Sequence, residues 1–247
     1  DTPNQTSLAQ VPSRLVLDRV LVRGRPNLPL RRCISLQSAN TAVLNSVIVE
    51  CHEKGFDSQA IAGWNGPGPF LIENNLLEGA GENIAFGGAD PAITDLSPSD
   101  ITIRWNLIRK PILWSQTGQW TVKNFIELKA GVRVLMHHNI LENHWVDGQS
   151  GWAIVLWSVG DSRTTTSDVI FSQNVLRNSA AGINVAMKAA GVARPFTGLY
   201  VGGNILFELG SESAFGGEGR PLQVLGGGAG VHIVDNTMLG QGAALYM

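Results

Sequence analysis

"FLIENNLLEG" (70–79), "ITIRWNLIRK" (101–110) and "VLMHHNILEN" (134–143) carry an asparagine at the same position of three similar ten-residue segments. Five more segments join them in register: LVLDRVLVRG (15–24), AVLNSVIVEC (42–51), VIFSQNVLRN (169–178), LYVGGNILFE (199–208) and VHIVDNTMLG (231–240). The shared column reads Val20, Val47, Asn75, Asn106, Asn139, Asn174, Asn204 and Asn236, in steps of 27, 28, 31, 33, 35, 30 and 32 residues. A period near 30 built of short alternating apolar runs, with no helical periodicity, specifies a stacked β-solenoid. A β-sandwich gives no reason for one asparagine per turn of chain. Asparagine suits a solenoid corner because it tolerates a left-handed backbone and its amide can bond the coils above and below.

A second column runs between these segments: CISLQS, AIAGWN, NIAFGG, FIELKA, AIVLWS, GINVAM, PLQVLG and AALYM. Strand alternation sends Ile84, Phe86, Ile126, Leu128, Ile154, Leu156, Ile183 and Val185 inward. Asn83, Phe125, Glu127, Lys129, Trp157 and Asn184 then face outward, with Asn83 beside Glu127. Asn83, Glu127 and Lys129 are expected to be exposed. The glycines of "GAGENIAFGGAD" (79–90) flank one such strand. No G-K-[ST] follows them and no strand–turn–helix frame surrounds them, so a phosphate cradle is excluded.

The 247 residues are 44% hydrophobic and 15% charged, enough for a sizeable core. A net charge of -2 without a basic run argues against nucleic acid. No stretch approaches the ~18 apolar residues of a membrane span. A first residue of Asp1 fits a mature chain that is secreted, periplasmic or at the cell surface. Cys33 and Cys51 can form a bridge or be two small buried side chains, and the second is favoured.

Over residues 15–247 the sequence resembles the right-handed parallel β-helix proteins, the architecture of pectate lyases. More narrowly, "IAGWNGPGPF" (61–70), "GAGENIAFGGADP" (79–91) and "NFIELKAGVRVL" (124–135) look like a group of bacterial secreted β-helix proteins. The expected fold is an all-β, right-handed parallel β-helix of about eight coils with an asparagine ladder. Residues 1–14 are read as a strap or tail, and the last coil as a surface that another domain or chain covers.

On the mostly small outward face of the second column, Glu127 and Lys129 stand out as a charged pair. They are either an acid–base pair in a sugar-binding groove or a surface ion pair of little consequence. The outward tryptophans Trp64 and Trp157 could stack on sugar rings, with Glu82, Asn83 and Asn184 beside them as substrate-binding groups. His137 is a candidate auxiliary acid. Asp90, Asp95 and Asp100 share a loop that could hold Ca²⁺ through hard oxygen ligands. "ELK" is similar to the Lys base and nearby carboxylates of β-helix lyases acting on uronic-acid polymers. Those enzymes also present an Arg on the following coil, which "SGWAIVLWS" (150–158) lacks, leaving Arg104 and Arg133 as substitutes. The expected function is therefore that of a polysaccharide lyase or glycoside hydrolase centred on Glu127 and Lys129. The other readings are a non-catalytic carbohydrate-binding or adhesion module and a structural scaffold segment.

Overall fold

A computed structural model describes residues 5–94, 96–159, 164–188, 194–210 and 215–247. Each turn of chain contributes one short strand to each of three eight-stranded parallel sheets. The first sheet stacks from Ser13–Asp18 to Ala229–Val234, the second from Leu21–Arg23 to Thr237–Gly240, and the third from Arg32–Ser35 to Leu245–Tyr246. Neighbours in a sheet lie one turn apart, so the chain is a parallel β-solenoid of about seven turns. The first strand starts at Ser13, two residues before the expected start of the β-helix at residue 15.

Repetition of like on like fills the bore. All eight residues expected to point inward in the third sheet are at most 1% exposed, and they join one continuous core of Ile, Leu, Val and Phe. The asparagine ladder is continuous from Asn75 to Asn236. Each backbone N–H and each Nδ2 donates to the Oδ1 of the next asparagine, at 2.8–3.1 Å. Each Nδ2 also donates to a carbonyl of the preceding coil, such as Ile103 O for Asn139. The left-handed residue is the one before each asparagine, for example His138 at φ 55° or Gln173 at φ 54°. The asparagines are thus selected for their amides rather than for their backbone.

The ladder also corrects the sequence register at one rung. Val47 pairs with Leu76, so the residue beneath Asn75 is Ser46. Ser46 N–H donates to Asn75 Oδ1 at 2.8 Å, and Ser46 Oγ accepts Val20 N–H at 3.1 Å. A hydroxyl thus extends the ladder where the sequence suggested an aliphatic.

Asn139→Leu would leave Asn106 N–H and Nδ2, Ile103 O and Asn174 Oδ1 short of a buried partner. A loss of about 1–3 kcal/mol in unfolding free energy is expected. Asn236→Leu, at a half-buried rung, should cost less in the same urea titration. Equal losses would show that burial of the ladder is not what makes it matter.

Cys33 and Cys51 are joined in a disulfide, with Cα atoms 5.7 Å apart. This corrects the preference for two separate thiols. The solenoid brings Cys33 of the third sheet against the end of Val47–Cys51 in the second sheet of the next turn, so a separation of 18 residues closes across a corner.

Candidate active site

The outer face of the third sheet is organised by its register. One outward column reads Ser35, Ala62, Ala85, Glu127, Val155, Asn184 and Gln223. Two residues further along each strand, Trp64, Gly87, Lys129, Trp157 and Ala186 form a second. Asn184 therefore stands two coils from Glu127, as expected. The direct neighbour of Glu127 is Ala85, however, and not Asn83.

Asn83 and Phe125 face inward, contrary to expectation. Both Asn83 N–H and Ile84 N–H donate to Phe125 O, at 3.0 and 2.9 Å, so two successive residues turn toward the bore where the strand begins. Phe125 joins the core, while Asn83 Nδ2 ties the corner to Leu77 O and Arg109 O. The outward place falls to Glu82, which is 1% exposed.

Glu127 was expected at the surface and is only 2% exposed. Its Oε2 lies 3.3 Å from Lys129 Nζ, and among the described residues no hydrogen bond satisfies it. Lys129 remains partly open, at 28%. Its stem lies over Gly88, where a Cβ would come within 2.8 Å of Lys129 Cδ, so the second glycine pair of the quoted stretch makes room for the lysine.

Behind this pair sits a second carboxylate. Glu82 Oε2 accepts from Gln59 Nε2 at 2.7 Å, and its unpartnered Oε1 is 4.0 Å from Lys123 Nζ. Lys123 also pairs with Asp57. Burial, then the charges of Glu127 and Asp57, push the Glu82 carboxyl up to about 7 against the opposing Gln59 bond and Lys123 charge. Burial opposes the ionised form of Asp57, yet the bond and charge of Lys123 hold its carboxyl below the usual range. Two neighbouring carboxyls are thus shifted in opposite directions, an arrangement suited to proton transfer.

The Glu82 shift has a consequence for stability. In the unfolded chain this group ionises near 4.5 and in the folded protein near 7, so between those values the folded state holds more protons. Stability should fall as pH rises through that window, by roughly 3 kcal/mol. Glu82→Gln keeps an acceptor for Gln59 and removes the titration. Urea midpoints at pH 5 and pH 8 should show the variant gaining on the wild type at pH 8; parallel midpoints would refute the shift.

The first glycines of the stretch serve a different group. Lys110 is fully buried and its Nζ donates to Gly79 O, Ala80 O, Gly81 O and Asn124 O at 2.5–3.0 Å. Three successive carbonyls converge on a cation, the inverse of a phosphate cradle built from N–H groups. Burial pushes the Lys110 pKa down, and the charge of Glu82 opposes this. His144 lies nearby, with Nδ1 3.2 Å from Ser179 Oγ and Nε2 on Lys123 O. Burial and the charge of Lys110 push it down to about 3. Neither group was singled out from sequence, since a lone Lys at a strand end and one His among three carry no spacing signal.

The open part of the site is a cleft of about 280 Å³ lined by Glu127, Gln149, Ser150, Trp152, Val155, Trp157, Asn184 and Ala186. Glu127 is its one ionisable lining residue. Trp157 Nε1 is buried without a partner among the described residues.

No family model matches the chain, and no curated protein matches it. Among solved structures it is similar to the tailspike protein gp49 from Pseudomonas phage LKA1, at 13% identity and a TM-score of 0.32, over 94% of this chain and 49% of that one. The chain thus spans about half the length of that protein.

The remaining sequence candidates lie apart from the cleft. Trp64 shares the column of Lys129 two coils earlier, with the Arg32 guanidinium 4.4 Å over its ring. His137, Arg104 and Arg133 are all on the first sheet. There Arg104 pairs with Glu73 at 2.7 Å and Arg133 with Asp100 at 2.7 Å, while His137 Nδ1 lies 2.7 Å from His138 Nδ1. Arg104 and Arg133, offered as substitutes from neighbouring strands, therefore do not reach the cleft, and neither does His137. Asp100 is therefore engaged by Arg133, Asp90 is exposed, and Asp95 lies outside the described residues. Among the described residues no three His, Cys, Asp or Glu side chains converge as a metal site. No helix is long and apolar enough to cross a membrane.

Proposed function

We propose that the third-sheet cleft binds a polysaccharide and cleaves it by acid–base chemistry, with Glu127 as the group that exchanges a proton with the glycosidic bond. The observation that carries this reading is a nearly buried carboxylate, with one oxygen lacking a hydrogen-bond partner, at the wall of a cleft walled by two tryptophans. Trp152 and Trp157 offer flat apolar surface to sugar rings, and Gln149, Ser150 and Asn184 offer hydrogen bonds to hydroxyls. Glu82 lies behind the cleft wall rather than in its lining, and its carboxyl, raised to about 7 in part by the charge of Glu127, is the reserve proton donor of this reading. Lys129 is ion-paired at 3.3 Å, which suits an ammonium that holds charge rather than a base that abstracts a proton. Hydrolysis is therefore preferred to β-elimination.

The same proposal has the chain working outside the cytoplasm, as a relative of the pectate-lyase-like and bacterial secreted β-helix proteins. The Cys33–Cys51 bridge supports an oxidising compartment. The test is a screen of purified protein on neutral and uronate-containing polysaccharides, following reducing ends and the absorbance of unsaturated products. Reducing ends without absorbance support the hydrolase. Absorbance would move the assignment to a lyase, and binding without either product would make the chain a carbohydrate-binding module.

A further inference from the structure

On the first sheet, a different face of the solenoid from the third-sheet cleft, the outward column ends in Leu135, Ile170, Tyr200 and His232. A groove of about 340 Å³ opens along its last three coils. Alternation explains the column, since Leu199 and Val201 on either side of Tyr200 are buried in the core. Ile170 and Tyr200 are nonetheless 41% and 38% exposed, a large apolar surface left open beside a fully packed bore.

Two local features shape the groove. The Tyr200 ring folds down onto the strand over Gly202, where a Cβ would come within 2.4–2.5 Å of the ring edge and hydroxyl. Any side chain at 202 would displace the ring, so this glycine keeps the aromatic in place. Along the opposite rim the corner residues are Asp168, Gly198 and Gly230, all left-handed, with φ of 53°, 72° and 73°. The two glycines leave the space beside Asp168 open, and Gly198 could not carry a Cβ without meeting Asp168 Oδ1 at 2.9 Å. The floor is thus aromatic and aliphatic, while Asp168 and His232 supply polar groups at the edges.

We infer that this groove is a second carbohydrate site, which holds the pyranose rings of a neutral glycan on Tyr200 without cleaving it. A pyranose presents a patch of C–H bonds on its face and hydroxyls around its rim. That matches an apolar platform bordered by a carboxylate acceptor and an imidazole. An exposed ring bordered by a carboxylate and an imidazole, rather than an uncharged apolar face, fits a ring ligand with a polar rim better than a second copy of the chain.

The test is affinity electrophoresis in gels containing soluble xyloglucan, β-glucan, galactomannan or, as the charged comparison, polygalacturonate. Glu127→Gln serves as the background so that no probe is consumed. In that background at least one neutral polysaccharide should retard migration, and adding Tyr200→Ala should raise the apparent Kd about fivefold or more. The loss caused by Tyr200→Ala should be as large again when Trp157→Ala is also present, which separates this groove from the proposed catalytic cleft. Tyr200→Phe should retain binding, and the circular dichroism of Tyr200→Ala should match its parent. The inference is overturned if no neutral polysaccharide retards the protein, or if Tyr200→Ala binds as its parent does. It is equally overturned if only Trp157→Ala abolishes retardation, since binding would then belong to the cleft alone.

Discussion

Glu127→Gln is expected to lower turnover by about 10²–10⁴-fold on whichever polysaccharide the protein cleaves, the usual worth of a positioned acid or base. The substitution removes a titrating oxygen and little else. The side chain faces away from the core, Gln has the same shape, and Lys129 is open enough for water to solvate an ammonium that has lost its partner. The unfolding midpoint should accordingly stay close to that of the wild type, and KM should change far less than kcat. Lys129→Ala is the informative companion. Loss of turnover in Lys129→Ala with full turnover in Glu127→Gln would make the amine the reacting group. Full activity in both would put the chemistry elsewhere on the molecule.

The other large effect is acid lability. His144 is neutral in the folded protein down to about pH 3, whereas in an unfolded chain it takes up a proton near 6.5. Between those values the unfolded state binds more protons, so the contribution of His144 is complete above pH 6.5 and is lost progressively as pH falls toward 3. The linkage amounts to roughly 4–5 kcal/mol, enough to dominate the acid limb of a stability profile. His144→Gln preserves a polar group for Ser179 while removing the titration. It should be less stable than the wild type at pH 7.5, and the gap should close by pH 4. An undiminished gap would mean that His144 is needed for its shape and not for its protonation. Together with Glu82, which weakens the fold toward high pH, this places the stability optimum in mildly acidic to neutral solution.

The sequence makes the solenoid legible because its constraint is repeated: every turn must solve the same corner, and six turns solve it with the same amide. Ser46 escaped because its hydroxyl does the work of an amide in a turn whose length differs by one residue, so the eye aligned Val47 instead. Period-two alternation was enough to put Glu127 and Lys129 on one face. It failed at Asn83 and Phe125, where the chain turns two consecutive side chains inward, since such a bulge depends on a carbonyl of the next coil. The charged cluster was least legible. Asp57, Gln59, Glu82, Lys123 and Glu127 are spread over 70 residues, and only the stacking of coils makes them neighbours. Glu82 was named as a substrate-binding candidate without a face, and its raised pKa depends on burial that no strand pattern encodes.

The asparagine ladder also has a direction in time. Each asparagine donates both its backbone and a side-chain N–H to the amide oxygen one turn later in the chain, while its second side-chain N–H reaches back to a carbonyl of the turn before. During synthesis, a coil that has just emerged therefore carries two unanswered donors until its successor arrives to accept them. The growing end is always one turn short of completion and chemically specific about what may follow. The ladder thus makes each coil's hydrogen bonding complete only when a successor with an amide oxygen at the same corner is in place.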